Sequence, residues 1–343
     1  LNYARVDSFQ KLTEGGLQVG WSDLIKGGKH ELKCGMIINC AGGWVPQIGR
    51  IRPGNMAGRL KHRRMLYALF DRPWEAPARF VLAPKRCYLV APYCGVVFVA
   101  LMLEETAGPV GPGPASAQDL ADLLRMLAHD MPEAGLEATR LYSAWQGSET
   151  VSVDVSTRKD LVSSGARCWS YENGMLNLLG GDYGSVSWTV YQGLKQVYRL
   201  SGVRDRIVPL NGRLLPGAGL FQESAVEFRR AAAENKVPAQ VTERILACLG
   251  SRARLISGFD QGWQILPGNL LRGEVELAFE LEQAESLEDV VRRRLQVAFL
   301  ADYDRSVLEG VLKVGSPQRP HLSLKDANYL REIDLSKEKT TAL

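Results

Sequence analysis

The residues best placed for chemistry stand at the end of one short apolar run, Met36-Ile37-Ile38-Asn39-Cys40-Ala41-Gly42-Gly43-Trp44-Val45. A continuous apolar run is the pattern of a strand covered on both faces. Small residues at its carboxyl end leave room for a ligand to approach the backbone, as ligands do at strand ends in α/β sheets. A second strand-to-turn pattern, Leu176-Asn177-Leu178-Leu179-Gly180-Gly181, has the same character. The carboxylates Glu274, Glu276, Glu280 and Glu282 read as a solvated helix face that pairs with Arg292–Arg294 or other basic residues, rather than as an acid site. Trp145, Trp169 and Trp188 read as packing residues.

Other chemistries are argued against. The six cysteines have no C-x-x-C spacing, and the four histidines lie far apart. Neither a structural zinc site nor a disulfide scaffold is expected, and a reducing compartment follows. The Gly108–Pro114 stretch looks like a phosphate loop, but its prolines remove the N–H donors a phosphate would need. A formal charge of +4, without basic runs interleaved with aromatics, gives no sign of nucleic-acid binding. The uncharged stretch Cys87–Leu103 is too short to span a bilayer and carries Pro92 and Gly95, which fits a hairpin of two buried strands.

The elements that must position these residues follow from periodicity. Strands are expected over Tyr3–Val6 and Leu17–Trp21 around a Gly15-Gly16 turn, with Gly27-Gly28 a second turn. Met65–Phe70, Phe80–Ala83, Tyr88–Ala91 and Val96–Leu101 form a strand-rich block. Leu120, Leu123, Leu124 and Leu127 then show helical spacing. A helix is expected from Trp188 through Val197, and others over 224–236, 238–249, 274–282 and 287–300, with Ser286 and Asp289 in capping-box spacing. The tail after Lys313 reads as loosely ordered.

Asn2-Tyr3, the Asn39–Val45 strand end and Glu172-Asn173-Gly174-Met175-Leu176…Gly180-Gly181 together resemble the FAD-dependent glycerol-3-phosphate dehydrogenase and oxidase family. In that family an N-A-[AT]-G-P-W-V strand end lies against FAD, and an E-N-G-L-L…G-G-K-x-T-T-Y-R loop closes over flavin and substrate. Glu274-Val275, Ala278, Glu282-Gln283-Ala284, Leu287, Asp289-Val290-Val291 and Arg293-Arg294 resemble its C-terminal helical signature, and Leu215-Pro216-Gly217-Ala218 its P-L-P-G-A linker.

The resemblance implies an α/β fold: a partial FAD-binding, glutathione-reductase-like domain (1–58 and 151–208) with an inserted antiparallel substrate-type sheet (59–150), plus a C-terminal all-α domain (209–343). It implies FAD as cofactor, bordered by Asn39, Ala41, Gly42, Trp44, Gly180 and Gly181, with Arg158 kept for the substrate phosphate. The reaction implied is oxidation of sn-glycerol 3-phosphate to dihydroxyacetone phosphate, with electrons passing to quinone. Its place is peripheral, at a mitochondrial or bacterial inner membrane.

The sequence departs from the family at several points. No G-x-G-x-x-G strand-turn-helix for the FAD pyrophosphate is found after Leu1, so an N-terminal fragment or a larger assembly is the expected partner. Glu149 stands where the family's G-x-R-P-L has arginine, Asp182 where G-G-K has lysine, and Gln192 where T-T-Y-R has arginine. A phosphate beside such reversed charges meets repulsion. Three functions stay open on these grounds. They are a flavin-dependent oxidoreductase completed by another segment, a non-catalytic accessory descendant (a pseudoenzyme), and a small-ligand binding module.

Overall fold

The computed structural model describes residues 2–49, 60–74, 76–83, 86–93, 95–152, 169–179, 186–202, 214–300 and 303–324. The chain opens with strands β1 (Ala4–Lys11), β2 (Leu17–Asp23) and β3 (Lys29–Cys34), an antiparallel meander with glycine turns at 15–16 and 27–28. Sequence pattern misses β3, Lys-His-Glu-Leu-Lys-Cys, because both its faces lack the apolar alternation by which a half-buried strand is read. Strand β4 (Ile37–Asn39) follows, then a 3-10 turn at Gly42–Trp44 and the short helix α1 (Val45–Gly49).

The long antiparallel sheet comes next: β5 (Leu60–Phe70), β6 (Arg79–Ala83), β7 (Arg86–Tyr93) and β8 (Val96–Thr106), then β9 (Gly113–Pro114), helix α2 (Ala117–Asp130) and β10 (Leu141–Ser152). Its strand order is β6-β7-β8-β5-β10-β9. Ser116 caps α2 by accepting from the Asp119 N–H. The helix lays Leu120, Leu123, Met126 and Leu127 on Leu66, Ala68, Phe70, Tyr88 and Val99 of the sheet. Alternation along the strands puts these residues on one face, and burying them against α2 drives the packing.

Strands β11 (Trp169–Glu172) and β12 (Met175–Leu178) form a hairpin, and β12 pairs in parallel with β4, Leu176 opposite Ile38. Ile38 and Leu178, separated in sequence by the whole of the long sheet, therefore share one sheet of order β11-β12-β4. Helix α3 (Val186–Ser201) packs on it through Gly193, where a Cβ would come within 2.8 Å of the Leu178 side chain. Met175 and Ile37 on the other face meet Phe9, Leu17 and Val19 of the first meander.

Two expectations are corrected here. The apolar run from Met36 to Val45 is strand only to Asn39, because the chain turns at Gly42, which has φ +55°. That strand is not covered on both faces either: β4 is an edge strand among the described residues, and Ile38 is 47% exposed. Trp188 is half exposed on α3 and is not a core residue.

The C-terminal part is helical apart from a two-residue ladder at 265–266 and 270–271. It carries α4 (Phe221–Glu234), α5 (Ala239–Leu249), α6 (Arg272–Glu280), a π-helical segment at Asp289–Arg294 and α7 (Arg305–Gly315). The sequence reading has no helix at α7, yet Val307, Leu308 and Val311 fall on one buried face, and Asp304 caps it. The expected solvated glutamate face is only partly so. Glu274 is 1% exposed, takes both nitrogens of Arg244 at 2.6 and 2.9 Å, and accepts from the Leu271 N–H. A buried carboxylate needs this many partners to remain charged.

Ser286 and Asp289 do form a reciprocal capping box: the Asp289 N–H donates to Ser286 Oγ and the Ser286 N–H to Asp289 Oδ2. Tyr3 donates its hydroxyl to Asp289 at 2.8 Å, and Asn2 donates its amide to the Gln283 carbonyl. The opening Asn-Tyr pair thus anchors the first strand on the C-terminal helices. Burial pushes the Asp289 carboxyl up, but the Glu285 N–H, Arg293 and Tyr3 together outweigh it and hold it below the usual range.

Candidate functional site

The site grows from the carboxyl ends of two parallel strands. Ser170, Asn177 and Asn39 lie side by side as a polar row across β11, β12 and β4. Asn177 donates to Ser170 Oγ at 3.4 Å. Asn39 donates to Asn177 Oδ1 at 2.8 Å and to the Val45 carbonyl at 3.2 Å, while its own oxygen accepts from the Ala41 N–H. A buried amide has to be paired in this way. The side chain of Asn39 therefore braces the turn from beneath.

Above that brace, Ala41, Gly42 and Trp44 form the exposed rim. Nothing lies within 4 Å of a Cβ built on Gly42, so the backbone there is open to a close approach. Gly43 differs, since a Cβ on it would sit 2.6 Å from Thr150 Oγ1 and 3.0 Å from Pro109. The paired glycines thus do two jobs: Gly42 leaves space, and Gly43 lets the turn press against the long sheet. Val45, Leu60 and Leu179 close beneath them, with Ala41 against their edge. β12 ends at Leu178 and runs parallel to β4, so the described parts of the two sequence motifs share one end of one sheet. Gly180, Gly181, Asp182 and Arg158 themselves lie outside the described residues.

Where the turn meets the sheet, sequence reading missed His62. It is 6% exposed, and its Nδ1 is 3.0 Å from Thr150 Oγ1 on the neighbouring strand. Burial pushes its imidazole down, toward the neutral form. The signal was available, because His62 alternates with Leu60, Arg64 and Leu66 on the inward face of β5.

The opposite face of the same strands carries Arg63 directly across from Glu149, with a guanidinium nitrogen 3.5 Å from the carboxylate. The charge reversal at Glu149 is thus compensated locally and does not stand as a lone negative charge. Burial pushes the nearby Cys87 thiol up, and Glu149 adds to that while Arg63 opposes it. Farther along this face Tyr67 stacks between Phe98 and Trp145, with ring centroids at 5.9 and 5.5 Å. Phe299 from the C-terminal part covers Trp145 at 5.4 Å.

Two clefts elsewhere offer less. One, between β8 and α2, has acidic walls already engaged: Glu104 and Asp119 bond Arg64, and Asp122 bonds Arg125. The other lies between the β7–β8 turn and α5, where Arg244 is held by Glu274. No helix among the described residues is long and apolar enough to cross a membrane.

No protein-family sequence model matches the chain, and no curated protein is similar to it in sequence. Solved structures do match. The glycerol-3-phosphate dehydrogenase from Bacillus halodurans, complexed with FAD, superimposes with a TM-score of 0.76 at 18% identity, over 98% of this chain and 68% of that one. Glycine oxidase from Geobacillus kaustophilus follows at TM-score 0.42 and 13% identity, over 63% and 53% of the two chains. L-proline dehydrogenase from P. horikoshii scores 0.40 at 10% identity, over 60% and 51%. At those scores the last two add no weight. The chain is therefore a mixed α/β protein with the fold of an FAD-dependent oxidoreductase. More narrowly, it has the fold of the glycerol-3-phosphate dehydrogenase over almost its whole length.

Proposed function

We propose that this chain is the substrate-sheet and C-terminal part of an FAD-dependent oxidoreductase of the glycerol-3-phosphate dehydrogenase type. The observation that carries the reading is the Asn39–Trp44 turn: braced by Asn39, open at Gly42, and seated by Gly43 on the long sheet. Those residues fit one edge of a flavin. Ala41, Gly42 and Trp44 would border it, with Gly180 and Gly181 following from β12. Bound FAD supplies a hydride acceptor for the donor carbon of a substrate. The described residues contain no glycine-rich strand-turn-helix for the pyrophosphate, so the reading calls for a cradle from a further segment or a partner chain.

By resemblance the reaction would be glycerol 3-phosphate oxidation with quinone as acceptor, at the periphery of a mitochondrial or bacterial inner membrane. The anion site speaks against phosphate as the natural ligand. Glu149 replaces the family arginine beside Arg63, and Gln192 replaces a second arginine on α3. A second reading, a non-catalytic accessory subunit, is favoured by the same two residues.

The test has two parts. The 343-residue chain is titrated with FAD, following quenching of tryptophan fluorescence to which the half-exposed Trp44 contributes. Weak or no binding is expected alone, and tight binding once a dinucleotide-binding segment is supplied. No binding in either state overturns the reading. Quinone-analogue reduction with glycerol 3-phosphate on the flavin-loaded protein is expected to show no turnover. Rates in the usual enzyme range, about 1–10³ per second, would restore the phosphate substrate.

A further inference from the structure

The outward face of the long sheet offers a set of groups that no phosphate site would need together. Arg63 and Glu149 are direct cross-strand partners, and Glu149 is 45% exposed. The next pair along the same face is Met65 and Gly147, and the next Tyr67 and Trp145. Gly147 matters because a Cβ there would stand 3.1 Å from the Tyr67 ring, so its absence lets that ring lie over the strand. The charged pair stands at the end of β5 and β10 that meets the turn but on the opposite face, since its neighbours in sequence, Thr150 and His62, approach Gly43.

Resting on the reading that this face lines the substrate cleft, we propose that Arg63 and Glu149 recognise a small zwitterion of the α-amino-acid type, with its side chain on Met65 and the Tyr67–Trp145 stack. A guanidinium fork suits a carboxylate, and a carboxylate with outward lone pairs suits an ammonium group. An amino acid presents both charges on one carbon, in the order in which the two strands present their opposites. A phosphate monoester gains from Arg63 and loses to Glu149, which cancels much of its attraction. The aromatic floor favours an apolar side chain over a bare glycerol unit.

The test is calorimetric titration of the full chain with L-phenylalanine, L-leucine, glycine and sn-glycerol 3-phosphate, with the flavin absorbance of each sample recorded. L-phenylalanine and L-leucine are expected to bind at least tenfold tighter than glycerol 3-phosphate. Glu149→Gln should weaken the amino acids about tenfold and strengthen the phosphate, whereas Arg63→Gln should weaken both. Phenylpropionate and phenylalaninol, each lacking one ligand charge, should each lose about tenfold against L-phenylalanine on the unaltered protein, so the proposal does not depend on any variant folding. Phosphate binding tighter than the amino acids, no amino-acid binding, or affinities indifferent to both ligand charges would overturn it. Amino-acid binding by flavin-free protein upholds the proposal, and the flavin reading stands or falls separately on the FAD titration with the dinucleotide-binding segment supplied. Flavin-loaded protein that ignores amino acids sinks the proposal alone.

Discussion

The two faces of the long sheet are made by alternate residues of the same strands, yet they are built for different ends. Under α2, Leu66, Ala68, Phe70, Tyr88 and Val99 form a sealed apolar layer, rimmed by Arg64 with Asp119 and Glu104. The other face carries, beside aliphatic residues such as Leu69, the aromatic, sulfur-bearing and charged side chains Tyr67, Trp145, Met65, Cys87, Arg63 and Glu149. The first face is closed by a helix from its own insert, the second only in part by Phe299. A sheet that turns one side to its own helix leaves the other side free, residue by residue, for the binding role proposed above.

The sharpest way to break this comparison is a cavity on each side. Leu123→Ala, at a fully buried position of α2, is expected to cost about 2–5 kcal/mol, whereas Met65→Ala on the half-exposed face should cost under about 2 kcal/mol. Urea midpoints at unchanged slope would measure both. Equal losses would mean that the outward face is as much a core as the inward one.

How much of this was readable from residues alone depended on where the decisive contact lay. Helix α2 and the capping box at Ser286 and Asp289 were legible because their signals are local: apolar spacing, and a serine three residues before an acid. The small-residue strand end was legible as a place of close approach, but the division of labour between Gly42 and Gly43 was not. What approaches Gly43 is Thr150, more than a hundred residues away in sequence. Asn39 was expected beside the cofactor, and its pairing with Asn177 is a cross-strand contact that periodicity cannot supply. Glu149 looked like an isolated charge reversal until β5 set Arg63 opposite it. Glu274 looked like part of a solvated face until α5 brought Arg244 to it.

Between the two faces lies the junction with the turn, where a smaller effect is expected. Gly43→Ala puts a methyl group 2.6 Å from Thr150 Oγ1, and overpacking of this kind typically costs about 1–3 kcal/mol. Gly42→Asn, at a position of positive φ that asparagine tolerates, should leave the unfolding midpoint within about 0.5 kcal/mol of the original while filling the open space above the turn. Loss of FAD affinity in Gly42→Asn, titrated with the dinucleotide-binding segment supplied and with stability kept, and loss of stability in Gly43→Ala, is the expected division. The reverse pattern would show that the two glycines have been assigned the wrong way round.

The smallest effect is electrostatic and belongs to His62, where the inward face runs past the end of α2 onto the turn. Burial lowers its folded pKa below the unfolded value of about 6.5. Below that pH the unfolded chain takes up a proton that the folded chain resists, so stability falls as pH drops from about 6.5 through the lower folded value. Each unit of depression is worth about 1.4 kcal/mol. The carboxylates of Asp119 and Glu104 are held low chiefly by hydrogen bonds from Arg64, so their stabilisation is present above about pH 4 and is lost only below it. The two windows are therefore separate. His62→Gln keeps a hydrogen-bonding partner for Thr150 but cannot titrate, and should flatten the stability profile just below about pH 6.5 while leaving the acid limb below about pH 4 in place. Urea unfolding at half-unit pH steps on both proteins measures it, and a slope that survives unchanged in His62→Gln would remove His62 as its cause.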